Sequence, residues 1–270
     1  MSAHQAPSFR SRLRSGAPLI GTWIKTPSRT VVEVLSSSTL DVLCLDAEHA
    51  PFDRGDLDGS IFAARALGMP VLVRPGTASA DSLLNCLDLG AVGVVAPHIR
   101  SGEEADRLVR SALFGPGGRG YAGSTRAAGY TRKPMAEHRE RSTEDTVIVA
   151  QIEDREALDN LSDIIRIERL DCLFIGRVDL TISMGAASPK DPQVLEAVDE
   201  ICRKAAEAGM RTGMFVSDLS ELPGWLALGS SLFLLSSDQA FLQEGARSLR
   251  SAFEISTRQG TETSLMEPRS

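Results

Sequence analysis

Long apolar runs, closely spaced cysteine pairs and an excess of basic charge are all missing from this chain of 270 residues. No run approaches the roughly 18 apolar residues of a membrane-spanning helix, so no membrane span is expected. The polar start MSAHQAPSFRSR has no apolar h-region, which leaves no secretory leader to expect. Cys44, Cys86, Cys172 and Cys202 stand singly in apolar or helical surroundings without CxxC spacing. They read as buried thiols in a reducing cytoplasm, not as a zinc knot or disulfide framework. Lys and Arg number 29 against 36 Asp and Glu, a formal charge of −7. Phosphate backbones and anionic lipids need a basic field that this balance does not supply. The expected partner is a small molecule, with neither nucleic acid nor membrane.

What is present is a 42% apolar share in short β-rich runs separated by helical patterns. The runs are PLIGTWI from Pro18, VLCLDAE from Val42, VLVRP from Val71, VGVVAPH from Val92, VIVAQIE from Val147, CLFIGRVDL from Cys172, RTGMFV from Arg211 and LFLLSSD from Leu232. Near-continuous apolar strands are buried on both faces, and strands alternating with helices make parallel βαβ units. Eight of them in a chain of this length point to an α/β fold closed as a (β/α)8 TIM barrel, with a doubly wound open sheet as the alternative. Ser101 followed by Glu104 reads as a capping box. Asp191 before Pro192 reads as an N-cap with proline at the first helical position, and Gly209 as a helix C-cap. Residues 115–134 are the one long irregular stretch in the middle of the chain. The expected organisation is an N-terminal extension over 1–15, a barrel over 16–256 and a polar tail over 257–270.

In such a barrel the C-terminal strand ends form the active face. The strands deliver Trp23 and Lys25, then Asp46, Glu48 and His49, then Arg74, His98, Gln151 with Glu153, and Asp179. Singly, such residues are ordinary: a carboxylate at a helix start usually serves the dipole, and a lone histidine is usually structural. Together on one face they suggest chemistry. Glu153 and Asp179 end neighbouring strands and make half of a site for a hard divalent cation, with two helix caps as the alternative. Arg74 offers a fork of donors to a carboxylate or enolate oxygen, with a salt bridge at the barrel rim as the alternative. His49, three residues beyond Asp46, is placed to act as a base held by that acid, with a surface histidine beside an N-cap as the alternative.

The motifs GTWIKTPS from Gly21, DAEHAPFD from Asp46, VRP from Val73, LDLGAVGVVAPHIRSGEEA from Leu87, GGRGYAG from Gly117, VAQIEDREALDNL from Val149 and FIGRVDLTISMG from Phe174 resemble, in order and content, the HpcH/HpaI aldolase family. The likeness runs from about Gly16 to Phe253. It implies metal-dependent pyruvate aldolases related to citrate lyase β subunits, of the phosphoenolpyruvate/pyruvate-binding barrel type. By the same resemblance Glu153 and Asp179 hold the metal, and Asp46 with His49 is the base. Arg74 meets the keto or enolate oxygen, the Val178 and Asp179 backbone N–H groups receive the carboxylate, and Trp23 and Gln151 wall the pocket. The family also implies a homo-oligomer whose eighth helix is exchanged between subunits, in dimers that form hexamers. One departure stands out: Arg177 occupies the place of the family's proline, adding a cation beside the substrate site.

The chemistry implied is reversible cleavage of a 4-hydroxy-2-keto acid to pyruvate, or a close 2-keto acid, and an aldehyde. Cleavage leaves a carbanion, and a divalent ion, Mg2+, Mn2+ or Co2+, stabilises its enolate form. The loop carrying Arg119 and Tyr121 is a candidate for the aldehyde half of the pocket. Rival readings are a Schiff-base aldolase on Lys25, a citryl- or malyl-CoA type lyase, and a barrel that binds a keto acid without turnover.

Overall fold

The structure is a computed structural model that describes residues 7–266, with side-chain surroundings through 257. In chain order the first half comprises α1 (Phe9–Ser15), β1 (Leu19–Ile24), α2 (Arg29–Ser36), β2 (Val42–Asp46), α3 (Arg54–Ala66), β3 (Val71–Arg74), α4 (Ala80–Leu89), β4 (Gly93–Ala96), α5 (Gly102–Ala112) and α6 (Met135–Asp145). The second half comprises β5 (Val147–Ile152), α7 (Arg155–Asp159), α8 (Leu161–Ile165), β6 (Cys172–Ile175), α9 (Arg177–Ser183), α10 (Pro192–Glu207), β7 (Arg211–Met214), α11 (Leu222–Ala227), β8 (Ser230–Ser237) and α12 (Asp238–Met266). A 3₁₀ turn, Leu219–Glu221, precedes α11. The strands form a closed barrel in sequence order, with β1 and β8 pairing in parallel to close it. The eight apolar runs are therefore the eight strands, and the open sheet is excluded.

Each strand is buried on both faces because alternate residues point to opposite sides. One set, including Val42, Cys44, Leu72, Val147, Val149, Cys172, Phe174 and Leu232, fills the barrel interior. The other, including Leu43, Leu45, Val71, Val73, Ile148 and Ile152, packs outward against the helices. The interior is stopped at the N-terminal strand ends by α1, whose Phe9 and Leu13 join the interior cluster. The segment read as an extension thus includes the barrel's plug; residues 1–6 lie outside the described residues. All four cysteines are free and buried.

Local signals hold with two changes. Ser101 Oγ accepts from the Glu104 amide at 3.2 Å, but the Glu104 carboxylate accepts from the Arg100 amide at 2.8 Å, so the box is half made. The reciprocal box is at α3, between Asp53 and Asp56. Asp191 precedes α10, yet its carboxylate turns back to the Ala187 and Ser188 amides. Gly209 takes φ +70°, as a residue after a helix end commonly does.

The helical backbone of α12 runs through Met266, into the segment read as a polar tail; residues 267–270 lie outside the described residues. On α12, Phe241, Leu242, Leu249, Phe253 and Ile255 are all exposed. No helix among the described residues is long and apolar enough to cross a membrane.

Because Leu13 is fully buried at the barrel floor, Leu13→Ala is expected to lower the free energy of unfolding by about 2–5 kcal/mol. The measurement is the urea midpoint; an unchanged midpoint would mean that α1 is not part of the barrel's core.

Candidate active site

The same alternation that fills the interior carries polar residues to its upper end. On β2, Asp46 follows Val42 and Cys44; on β3, Arg74 follows Leu72; on β5, Gln151 and then Glu153 follow Val147 and Val149. All four are buried, at 0%, 6%, 1% and 2% exposure. Charges so placed are stable only with partners.

Arg74 is the hub. Its Nε donates to Asp46 Oδ1 at 3.0 Å, Nη2 lies 2.8 Å from Asp46 Oδ2, and Nε lies 3.2 Å from Glu48 Oε2. Its guanidinium sits 4.3 Å from the ring centroid of Trp23, which packs edge-on against Phe174 at 5.8 Å. Lys25 Nζ approaches Asp46 Oδ2 at 3.5 Å. Asp238, at the end of β8 and only 2% exposed, accepts from the Lys25 and Thr26 amides at 2.8 and 3.0 Å. The loop after β1 is thereby fastened to the last strand.

Across the mouth, Glu153 Oε1 accepts from the His98 amide at 2.9 Å, while Glu153 Oε2 accepts from Gln151 Nε2. His98 has φ 56°, in the left-handed region that non-glycine residues seldom enter. Its Nδ1 lies 3.0 Å from Asp154 Oδ2, and its Nε2 lies 3.7 Å from Glu48 Oε1. Donor atoms of Glu48, His98 and Glu153 all fall within 4.8 Å of one another. Burial chiefly raises the Glu48 pKa, and the Glu153 charge adds to it, against the opposing pull of Arg74. For His98 burial acts downward, but the Asp154 hydrogen bond and the charges of Glu153, Asp154 and Glu48 outweigh it and raise the pKa. Two carboxylates forced together beside an imidazole, with Glu48 resisting ionisation, form a donor set that a divalent cation fits.

The residues singled out in the sequence fall into three groups. Asp46, Arg74, Trp23, Gln151 and Glu153 converge at the mouth. His49 is there too, though differently held: Asp46 Oδ1 accepts its backbone N–H at 3.2 Å, while the half-exposed ring has Nε2 3.6 Å from Glu48 Oε2. The Asp46 carboxylate is already committed to Arg74, so it fixes the turn to His49 and not the imidazole. Asp179 and Val178 lie in the first turn of α9, half-buried and exposed respectively, and Asp179 stands outside the Glu48–His98–Glu153 group. That turn runs close to the site. A Cβ on Gly176 would come within 2.8 Å of both Cβ and Oε2 of Glu153. Arg177 is 8% exposed and turned toward Glu221, donating to its Oε2 at 2.6 Å; Trp225 Nε1 donates to the same oxygen at 3.2 Å.

Glu48 and His98 were visible at strand ends but were not joined into a donor cluster. Their meeting depends on the left-handed backbone at His98, which residue type does not announce. The loop containing Arg119 and Tyr121 does not face this mouth. Arg119 is stacked on Phe114 at 3.9 Å, and Tyr121 packs against Phe114 and His138, beneath the barrel.

Buried, paired charges at the C-terminal end of a closed (β/α)8 barrel define an enzyme barrel whose mouth carries donors that could hold a cation. Residues 19–244 match the profile of the HpcH/HpaI aldolase/citrate lyase family. The hydroxypyruvate/pyruvate aldolase of Pseudomonas aeruginosa is 32% identical over 248 residues, which cover 91% of this chain and 92% of that one. The 4-hydroxy-2-oxo-heptane-1,7-dioate aldolase of Shigella flexneri is 29% identical over 247 residues, covering 91% and 92%. The crystal structure of an HpcH/HpaI aldolase/citrate lyase family protein from Burkholderia cenocepacia J2315 aligns with a TM-score of 0.85 at 28% identity, over 91% of this chain and 98% of that one. The chain belongs to the HpcH/HpaI aldolase/citrate lyase family, and it is a carbon–carbon lyase of the aldolase class.

Gly176→Ala is expected to displace Glu153 and weaken Mn2+ binding about 10- to 100-fold, as loss of support around a metal ligand does. Titration followed by electron paramagnetic resonance measures this, with circular dichroism unchanged.

Proposed function

We propose that the protein is a divalent-metal-dependent aldolase that reversibly cleaves a 4-hydroxy-2-keto acid to pyruvate, or a close 2-keto acid, and an aldehyde. The observation that carries this reading is the approach of Glu153 and Glu48 beside the Arg74 guanidinium at one buried mouth. The Pseudomonas aeruginosa relative has pyruvate in its name, which supports pyruvate as the donor.

Glu153, with Asp179 from the first turn of α9, would hold the metal, Mg2+, Mn2+ or Co2+, and Glu48 and His98, whose donor atoms meet those of Glu153, would stand beside it. When bound, a divalent ion supplies positive charge against which a keto acid can carry the electron pair left by C–C cleavage. Arg74 adds a fixed charge at the developing enolate oxygen, and the Trp23 face below keeps the guanidinium oriented. His49 removes the 4-hydroxyl proton as the C3–C4 bond breaks and the aldehyde forms; in synthesis it returns that proton. Asp46 supports this base through the His49 backbone and anchors Arg74. The Val178 and Asp179 backbone N–H groups receive the substrate carboxylate. Gln151 steadies Glu153, and Arg177 borders the substrate while its pair with Glu221 fixes the first turn of α9.

The exposed apolar residues of α12 support a homo-oligomer in which this helix packs on another copy, in a dimer or a hexamer built from dimers. Four free, buried thiols are in keeping with a cytoplasmic location.

Exchange of the pyruvate methyl protons in heavy water, followed by NMR, tests the enolising step without knowledge of the aldehyde. Glu153→Gln is expected to slow exchange at least about 100-fold. EDTA should abolish exchange, and added Mg2+, Mn2+ or Co2+ should restore it. Undiminished exchange in EDTA would defeat the metal-dependent mechanism. Across a panel of 4-hydroxy-2-keto acids, pyruvate release that returns with added metal is the expected outcome.

A further inference from the structure

The barrel face opposite the catalytic mouth holds a cavity of about 440 Å³, between α1, the starts of β3 and β4, and the segment that leads into β5. Arg65, Arg119, Lys133, His138 and Arg141 line it, with Asp145 as the facing acid. On a chain whose net charge is −7 this is a local reversal of sign. The partners formed by these cations are neutral: Arg65 Nη1 donates to Gly90 O at 2.9 Å, Lys133 Nζ to Ala127 O at 3.1 Å, and Arg119 Nη2 to Ser142 Oγ at 3.0 Å. Asp88 acts on Arg119 through its charge, which only partly offsets the cost of burying that guanidinium. The positive field is left open toward the cavity.

A second observation points the same way. Arg119 and His138 are 6% and 4% exposed, yet Arg119 Nε and His138 Nε2 are buried without a hydrogen-bond partner. Folded proteins rarely leave such nitrogens unpaired. Both side chains are also rigidly seated: Arg119 stacks on Phe114 at 3.9 Å, and the His138 ring meets Phe114 edge-on at 5.4 Å. Burial, then the charges of Arg119 and Lys133, lower the His138 pKa. An entering oxyanion would offset that repulsion and shift the resonances of the His138 ring, which lines the cavity.

We propose that this pocket is a second binding site, on the face opposite the catalytic mouth, for a small metabolite carrying a phosphate group. Guanidinium forks and an ammonium converging from several segments suit a dianionic, many-oxygened group, whereas a lone carboxylate would leave most of the charge uncompensated. The volume exceeds that of phosphate itself and lies in the range of small-metabolite pockets.

The test reads the site directly, independent of turnover. The C2–H proton resonance of His138, assigned by its loss in His138→Gln, is followed while inorganic phosphate or glycerol 3-phosphate is added to the full chain at ionic strength held constant with chloride. The expected result is a saturable shift that chloride does not reproduce. Lys133→Met and Arg141→Met should each weaken it about tenfold, the loss of one charge-assisted contact. Tighter binding of glycerol 3-phosphate would support a phosphorylated metabolite as the ligand, and equal binding would identify the free ion and overturn that assignment. No saturable shift with either anion at tens of millimolar, or an affinity in both variants unchanged from that of the wild-type chain, would overturn the proposal. Lys133 is only part-buried and Arg141 exposed, so neither substitution removes core packing.

Discussion

The upper half of this barrel is organised around one guanidinium. Arg74 lies between the face of Trp23 and two carboxylates, Asp46 and Glu48, in a place almost without solvent. Removing any one partner would leave a buried charge without compensation, which costs far more than a surface ion pair contributes. The arrangement also sets the shape of the mouth. Asp46 is drawn toward Arg74 and in turn holds the His49 amide, while Glu48 is left to face His98 and Glu153. The aromatic floor of Trp23 on Phe174 separates this charged layer from the aliphatic interior below.

The scaffold was legible because a parallel barrel writes itself as short, doubly buried strands. VLCL, VLV and VIVA alternate between interior and outer shell exactly where period two requires, and the next residues in phase are the polar ones. Asp46, Arg74, Gln151 and Glu153 follow from that rule alone. Features set by tertiary contact were not legible. Glu104 had the right spacing for a capping box but was captured by Arg100. The partner of Arg177 was not legible either: Glu221, 44 residues away, accepts its hydrogen bond. The loop with Arg119 and Tyr121 was a candidate for the aldehyde half of the pocket, but Phe114, Tyr121 and His138 fold it under the barrel.

Arg177, where the family resemblance leads to the expectation of a proline, bears on how a turn is held and not only on its charge. Proline restricts a backbone through its own ring; an arginine paired with Glu221 restricts it through another segment. The first turn of α9 is thereby tied to the 3₁₀ turn after β7. Gly176 leaves little slack beneath that turn, because the Glu153 side chain occupies the space where any Cβ would stand.

Asp238 gives the two termini of the barrel a shared fate. Its carboxylate reaches from the last strand to the backbone of Lys25 and Thr26, closing the seam between β8 and β1 at the level where Lys25 meets Asp46. A chain cut after Ser237 would lose more than its final helix. It would also untie the first loop of the mouth, so an event at the far end of the polypeptide is felt beside the residue that anchors Arg74.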